Sequence, residues 1–244
     1  MGTTKAKWRG GILNFYDGST FETVFGAAPV MFYDDFLGPD IVIPASGSVV
    51  SGCRWSKKII GAAPPTVAGV DDTTNGVIQC ALTNADQKQD AALHMNDCLT
   101  FSIAQGAIFE ARIKLATLPT GNGVASWGLW GAWGDGGSAY RVGFTAEGNG
   151  AILCESDDNA TDTSAASGVT VLNTDYKIYR IDCTVQTDIK FYINGEGVAT
   201  STTFANAASA ANSKSQPHVG MYKASGTGVG TIEVDYVRIW QNRS

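Results

Sequence analysis

The stretch "IFEARIKLATLPTGNGVASWGLWGAWGDGGSAYRVGF" (residues 108–144) indicates the fold class of this chain. Its first ten residues alternate: Phe109, Ala111, Ile113 and Leu115 point to one side, and Glu110, Arg112 and Lys114 point to the other. A period of two residues predicts a β-strand with one buried face and one solvated face. The stretch then continues through a tryptophan-rich segment to the segment "SAYRVGF".

Similar patterns recur later in the chain. The segment 175–185 alternates with Tyr179, Ile181, Cys183 and Val185 inward, and the segment 188–201 contains an Asn194-Gly195 pair that predicts a hairpin. The run 230–240 is apolar on both faces after Tyr236, and weaker candidate strands lie at 51–59, 76–83 and 99–103. No useful length of sequence has a helical period, so we expect an all-β sandwich of two antiparallel sheets. The polar segments 154–168 and 202–216 are predicted to be exposed connections.

Composition excludes several classes of protein. The 244 residues include 23 acidic and 17 basic side chains, and no basic run exceeds Lys57-Lys58, so nucleic acid is not an expected partner. No apolar stretch is long enough to span a membrane or to form a signal peptide, and export by a cleaved signal is not expected. The five cysteines are widely spaced without a C-x-x-C pair, which favours reduced, mostly buried thiols over a metal site.

Residues 1–30 are interpreted as an N-terminal arm. The segment 12–24 has two β-prone runs around Asp17-Gly18-Ser19, which predicts a hairpin, and the main domain is expected to cover residues 31–244. The arm contains more large aromatic side chains than a free tail would need, which indicates that it packs against another surface. Its candidate partner-binding residues are Trp8, Phe15, Tyr16 and Phe21.

The order of four phrases carries a family resemblance. "GAIFEARIKL", "SWGLWGAW", "YKIYRIDCTVQTDIKFYINGEGVATS" and "IEVDYVRIWQ" follow one another as in the concanavalin A-like jelly rolls, and specifically resemble family 16 glycoside hydrolases of the laminarinase type. The resemblance covers residues 31 to 241 in outline and is strongest in the second half. It implies a jelly-roll sandwich, which in this chain would follow the N-terminal arm.

The resemblance does not extend to the catalytic residues. A retaining glycosidase needs two carboxyl groups about 5 to 5.5 Å apart, and the family places them on the strand after the tryptophan-rich one. This chain has "SAYRVGF" there, with Ala139, Arg141 and Gly143 on one face and no carboxylate on either. We therefore expect no catalytic residues and no enzymatic activity. Two other acidic pairs have simpler explanations. Glu155 with Asp157 is explained by a solvated loop, and Glu233 with Asp235 by an edge or outward face of the sheet.

Aspartate, tryptophan and histidine side chains are the remaining candidates for ligand sites. Asp235 matches a position that binds a structural calcium in many relatives, which makes calcium a minor hypothesis, and no metal site is otherwise expected. Trp127 and Trp133 would share one face of a continuous strand, with Trp130 on the other, and are the possible carbohydrate-binding residues. His94 and His218 are isolated in sequence, and we interpret them as ordinary core or surface residues.

A hairpin leader joined to a catalytically incomplete jelly roll resembles virion proteins of tailed bacteriophages, particularly capsid decoration proteins. This resemblance implies a structural protein that assembles in the host cytoplasm onto the capsid surface. Its partners would be the major capsid protein or other virion proteins, and further copies of itself as a homo-oligomer. A carbohydrate-binding or adhesin module is the alternative, followed by an active glycosidase with a carboxylate pair elsewhere.

Overall fold

A computed structural model describes residues 30–37, 45, 54–71, 73, 75–134, 138–148, 150–171, 175–207, 209 and 212–241, together with the backbone of three strands before residue 27. Nineteen strands are found in these parts of the chain: β1 (Thr4–Arg9), β2 (Ile12–Asp17), β3 (Thr23–Gly26), β4 (Val30–Asp34), β5 (Ser56–Ile60), β6 (Thr66–Gly69), β7 (Ile78–Ala81), β8 (Gln89–His94), β9 (Phe101–Ser102), β10 (Ile108–Thr117), β11 (Val124–Trp130), β12 (Tyr140–Glu147), β13 (Ala151–Asp158), β14 (Asp162–Thr170), β15 (Lys177–Asp182), β16 (Lys190–Ile193), β17 (Glu196–Val198), β18 (Lys214–Lys223) and β19 (Thr231–Gln241).

Two antiparallel sheets of eight strands each form the main body. The first sheet has the order β17-β16-β15-β10-β19-β7-β6, with β4 also paired to β19. The second sheet has the order β14-β13-β12-β11-β18-β8-β5, with β9 also paired to β18. This architecture confirms the predicted all-β jelly-roll sandwich. In the described residues, no helix has the length and apolar character required to cross a membrane.

The core lies between the two sheets and explains the alternation seen in the sequence. Phe109, Ile113 and Leu115 of β10 are buried, as predicted, while the charged residues between them lie on the outer face of the first sheet. Trp127 of β11 meets Phe144 of β12 across the second sheet, with ring centroids 5.9 Å apart. One continuous apolar layer therefore holds the two sheets together.

The predicted hairpin at Asn194-Gly195 is confirmed. Both residues have positive φ values, 51° and 84°, and Ile193 of β16 pairs directly with Glu196 of β17. Such a two-residue turn fits the right-handed twist of the flanking strands. The prediction that Val185 points inward was wrong, because β15 ends at Asp182 and Val185 is exposed in the following turn.

The segment 154–168 was predicted to be a loop, and this prediction was wrong. It contributes to two paired strands, β13 and β14, with Glu155 opposite Ser164 and Asp157 opposite Asp162. Polar residues are tolerated here because one face of the hairpin points away from the core. In the second polar segment, 202–216, the last three residues already belong to β18.

The three N-terminal strands form a sheet of their own in the order β1-β2-β3. The pair β2–β3 overlaps the segment 12–24 that was predicted to be a hairpin, whereas β1 was not predicted. Trp8, Phe15 and Tyr16 lie on β1 and β2, but their side chains, and the whole of Phe21, lie outside the described residues. The boundary at residues 30 and 31 stays a prediction, and β4, which begins at Val30, is paired to the first sheet.

Buried polar groups at one end of the sandwich are tied to backbone. The ammonium group of Lys223, at the end of β18, donates to the carbonyl oxygens of Thr83 at 2.7 Å, Ala85 at 2.8 Å and Gly228 at 2.9 Å. The lysine is fully buried. Its three bonds join the turn before β8 to the turn before β19. Three of the cysteines, Cys80, Cys154 and Cys183, are free and buried, and Cys98 is free and exposed.

Candidate functional site

The strand that would carry the catalytic carboxylates of a glycosidase is β12. Val142 and Phe144 of this strand face the core, whereas Arg141 and Gly143 point to the outer face of the second sheet. This arrangement confirms the predicted separation of the two faces. Among the described residues of β12, the only carboxylate is Glu147 at the far end of the strand.

Arg141 is the centre of a charge network across three strands. Its guanidinium lies 2.7 Å from Asp157 and 3.3 Å from Glu155 on β13, and 3.4 Å from Asp162 on β14. Thr145 donates a further 3.0 Å hydrogen bond to Glu155. The carboxylates near the family's catalytic position are therefore bound to a cation, and charge-assisted bonds of this kind hold them in fixed orientations.

The interpretation of Glu155 and Asp157 as loop residues needs correction. Both lie on a strand and share its outer face, because their Cα partners on β12 are Gly143 and Arg141. Their chemistry also differs from that of a glycosidase pair. Such an enzyme needs one free nucleophile and one protonated acid, whereas both side chains here accept hydrogen bonds from the same guanidinium.

The two histidines, isolated in sequence, are brought together by the second sheet. Leu93 of β8 pairs with Val219 of the antiparallel strand β18, so His94, which follows Leu93, and His218, which precedes Val219, lie opposite each other. Both are buried, and burial lowers the pKa of His94 and lowers that of His218 to about 3. Sequence reasoning missed this pair because cross-strand register is not visible in a single strand's pattern.

His218 contacts two residues of the neighbouring strand β11. The ring stacks on Trp130 with centroids 3.9 Å apart, and Nε2 lies 3.1 Å from the hydroxyl oxygen of Ser126. A serine beside a histidine is the beginning of a nucleophile and base arrangement. A base that holds its proton only below about pH 3 is too weak to activate a hydroxyl at neutral pH. The cluster therefore favours a structural role.

The tryptophans do not lie as a continuous strand would place them. Trp127 is fully buried, with its ring against Tyr179 and Phe144, so the hypothesis that it stacks on a sugar is wrong. Trp133 was predicted to share its face, but β11 ends at Trp130 and the chain turns. The half-buried Trp133 instead lines a small pocket on the outer face together with Trp130, and the Lys58 ammonium lies 4.3 Å from its ring centroid.

Asp235 lies on the opposite side of the sandwich, on the outer face of the first sheet. Its carboxylate is paired with the Arg112 guanidinium, and its neighbour Glu233 is bound by Lys114 at 2.7 Å and Tyr176 at 2.8 Å. Calcium needs six to eight oxygen ligands. Within the described ranges, no group of three metal-ligating side chains is found, and the cation beside Asp235 is an arginine. These residues do not fit the calcium site.

Comparison with known proteins supports the fold. No protein-family model and no curated protein matches the chain. A protein of unknown function from Shewanella oneidensis MR-1 is similar over 88% of this chain and 89% of its own, at 13% identity and a TM-score of 0.58. A Bacteroides ovatus family 16 glycoside hydrolase, solved with a glucan product, is similar over 85% and 99%, at 14% identity and a TM-score of 0.55.

A third similar structure bears on activity. The pseudo β-1,3-glucanase of Mycobacterium tuberculosis is similar over 87% of this chain and 98% of its own, at 15% identity and a TM-score of 0.54. The chain thus has a concanavalin A-like jelly-roll fold of the glucanase type. Because this fold occurs in a hydrolase and in a pseudo-enzyme, the fold by itself leaves activity open.

Proposed function

We propose that this chain is a non-enzymatic virion structural protein, a decoration protein of a bacteriophage capsid, attached through residues 1–30. The observation that carries the non-enzymatic part is the position of Arg141. A guanidinium stands on the outer face of the strand that would bear the nucleophile, and it binds the nearest carboxylates. With no free carboxylate pair at this position, the sandwich serves as a rigid body that is carried by an assembly.

The attachment part of the proposal is supported by the pairing of the N-terminal strands. Among the described strands, β1, β2 and β3 hydrogen-bond only with one another, whereas β4 joins the sandwich. A small separate sheet with aromatic residues has the features of a docking element, since buried aromatic side chains supply most of the binding energy at interfaces. Trp8, Phe15, Tyr16 and Phe21 are its proposed anchors.

Cosedimentation with purified particles tests the attachment. The full chain is expected to bind at a copy number in a simple ratio to the major shell protein, measured by quantitative mass spectrometry. A full-length chain with Trp8→Ser and Phe15→Ser should lose binding while its melting temperature stays within a few degrees. Binding that survives these changes, or a copy number of only a handful, would count against a decoration role.

Hydrolysis is tested separately on β-1,3-glucan and mixed-linkage glucan. No release of reducing ends is expected from the wild-type chain. Release of reducing ends by the wild-type chain would contradict the non-enzymatic assignment.

A carbohydrate-binding module is the second candidate function. The observation that favours it is Trp133, a half-buried aromatic ring beside a small pocket on the outer face of the second sheet. In affinity electrophoresis on immobilised glucan, this candidate predicts retardation that Trp133→Ala abolishes. An unretarded wild-type chain would exclude glucan as the ligand.

A further inference from the structure

The outer face of the first sheet carries an uninterrupted row of aromatic and arginine side chains. We call it the aromatic–arginine face, and it consists of Tyr33, Tyr236, Arg238, Trp240, Arg180 and Tyr192. These residues come from four strands, β4, β19, β15 and β16. With β10 between β19 and β15, the row crosses five neighbouring strands, a width of about 19 Å at about 4.8 Å per strand.

Each arginine in the row lies between two rings. The guanidinium carbon of Arg238 is 5.7 Å from the centroid of Tyr236 and 5.5 Å from that of Trp240. The guanidinium carbon of Arg180 is 5.9 Å from the Trp240 centroid and 5.5 Å from the Tyr192 centroid. This stacking fixes long side chains in place, which lowers the entropy that a partner must remove on binding.

The face is also partly apolar and open. Tyr33 is 46% exposed, and Met31 and Ile178 beside the row are 60% and 37% exposed. Arginine, tyrosine, tryptophan and methionine are the residue types enriched at protein interfaces, where they supply the strongest contacts. The composition therefore favours a protein as the occupant.

Charged side chains on this face form ion pairs. Four cations are paired with four carboxylates: Arg238 with Glu110, Arg112 with Asp235, Lys114 with Glu233, and Arg180 with Asp182. The formal net charge of the whole chain is −6. The six surplus negative charges therefore lie on residues other than these four pairs. The cations are outermost, as in the pair of Arg238, whose side chain is 47% exposed, with Glu110, which is 9% exposed.

We propose that the aromatic–arginine face binds a second copy of this chain, face against face about a two-fold axis. Two acidic copies repel each other where unpaired carboxylates meet, and on this face these four carboxylates are each paired with a cation of the same chain. In a two-fold arrangement the same patch faces itself, so arginines of one copy can lie over rings of the other. The inference is independent of the capsid attachment, because it concerns the sandwich of the isolated chain.

Sedimentation velocity of the full chain over a range of concentrations tests the proposal. We expect a monomer–dimer equilibrium, and Ile178→Lys should raise the dissociation constant at least tenfold because it adds a cation to both copies of the face. Tyr33→Ser, which adds no charge, should act in the same direction. The matched control is Ile59→Lys on β5 of the second sheet, since Ile59 is 36% exposed against 37% for Ile178.

The control should change the dissociation constant less than twofold, with all melting temperatures close to that of the wild type. A wild-type chain that stays monomeric at every concentration would overturn the proposal. So would trimers or larger closed rings, or a dimer that Ile178→Lys leaves intact or that Ile59→Lys weakens equally. Loss of particle binding in the N-terminal variants would leave this result unaffected, so the two proposals fail separately.

Discussion

The guanidinium of Arg141 and the carboxylate of Asp157 lie opposite each other on β12 and β13, joined by a 2.7 Å charge-assisted hydrogen bond. The bond connects two side chains that are each less than one-fifth exposed. It lies on the outer face of the second sheet. Arg141 therefore contributes to the stability of the second sheet at this position.

Replacing Arg141 by methionine should destabilise the fold by about 2 kcal/mol, between the values typical of exposed and fully buried ion pairs. The reason is that Glu155 and Asp157 lose their shared cation while remaining mostly buried. Urea unfolding measures the change. Lys190→Met is the control, because the Lys190–Asp188 pair is about half exposed and should contribute less than about 1 kcal/mol. Equal effects of the two changes would contradict this account.

His218 should make the fold sensitive to mild acid. Burial lowers its pKa to about 3 in the folded state, whereas the unfolded value is about 6.5. The unfolded state thus binds a proton below pH 6.5 that the folded state does not, and stability falls as pH falls. Between pH 7 and pH 5 this histidine should account for a loss of about 2 kcal/mol. His218→Gln should remove that part of the pH dependence in urea titrations, and parallel curves for the two proteins would be evidence against it.

Truncation of Trp127 should destabilise the fold far more than truncation of Trp133. Trp127→Ala empties a large volume in the core and should destabilise the fold by about 3 to 5 kcal/mol. Trp133→Ala removes a half-buried ring on the outer face and should cost less than about 1 kcal/mol. Thermal unfolding measures both changes. A larger loss for Trp133 than for Trp127 would reverse their assignment to core and surface.

Gly128, in the middle of β11, should not tolerate a side chain. Its φ is +150°, and an added Cβ would lie 2.4 Å from the carbonyl oxygen of Val142 on the next strand. Gly128→Ala is therefore expected to cost about 3 kcal/mol. The control is Gly69→Ala on the edge strand β6, where the nearest atom would be 4.0 Å from the new Cβ. Chemical denaturation measures the free energy of unfolding of both variants. A Gly128→Ala variant as stable as the wild type would contradict this prediction, because it would show that the neighbouring strands move apart at no cost.

The sequence predicted those parts of the fold whose signals are local. The alternation in 108–117 identified β10 and its two faces, and Asn194-Gly195 identified a hairpin, because both patterns depend on neighbouring residues alone. The pairing of β13 with β14 escaped prediction, since a strand at the edge of a sheet can carry small polar residues on one side without cost. The polar composition of the segment 154–168 therefore led to the prediction of a loop.

For the candidate site, the sequence predicted only the absence of catalytic carboxylates. The missing carboxylates on β12 follow from residue identities, but the binding of Arg141 to Asp157 and the meeting of His94 with His218 depend on which strands become neighbours. Trp133 was assigned to the wrong face because side chains alternate between faces only within a strand, and β11 ends at Trp130. Cross-strand register is the information that a single sequence does not supply.

The buried ammonium of Lys223 has a consequence for how this end of the sandwich is held. A positive charge surrounded by three carbonyl oxygens occupies a cage of the kind that alkali or alkaline-earth ions fill in other proteins. Here the charge is covalently part of the polypeptide, so it cannot dissociate on dilution or be removed by a chelator. The clamp between the two turns therefore needs no added metal ion.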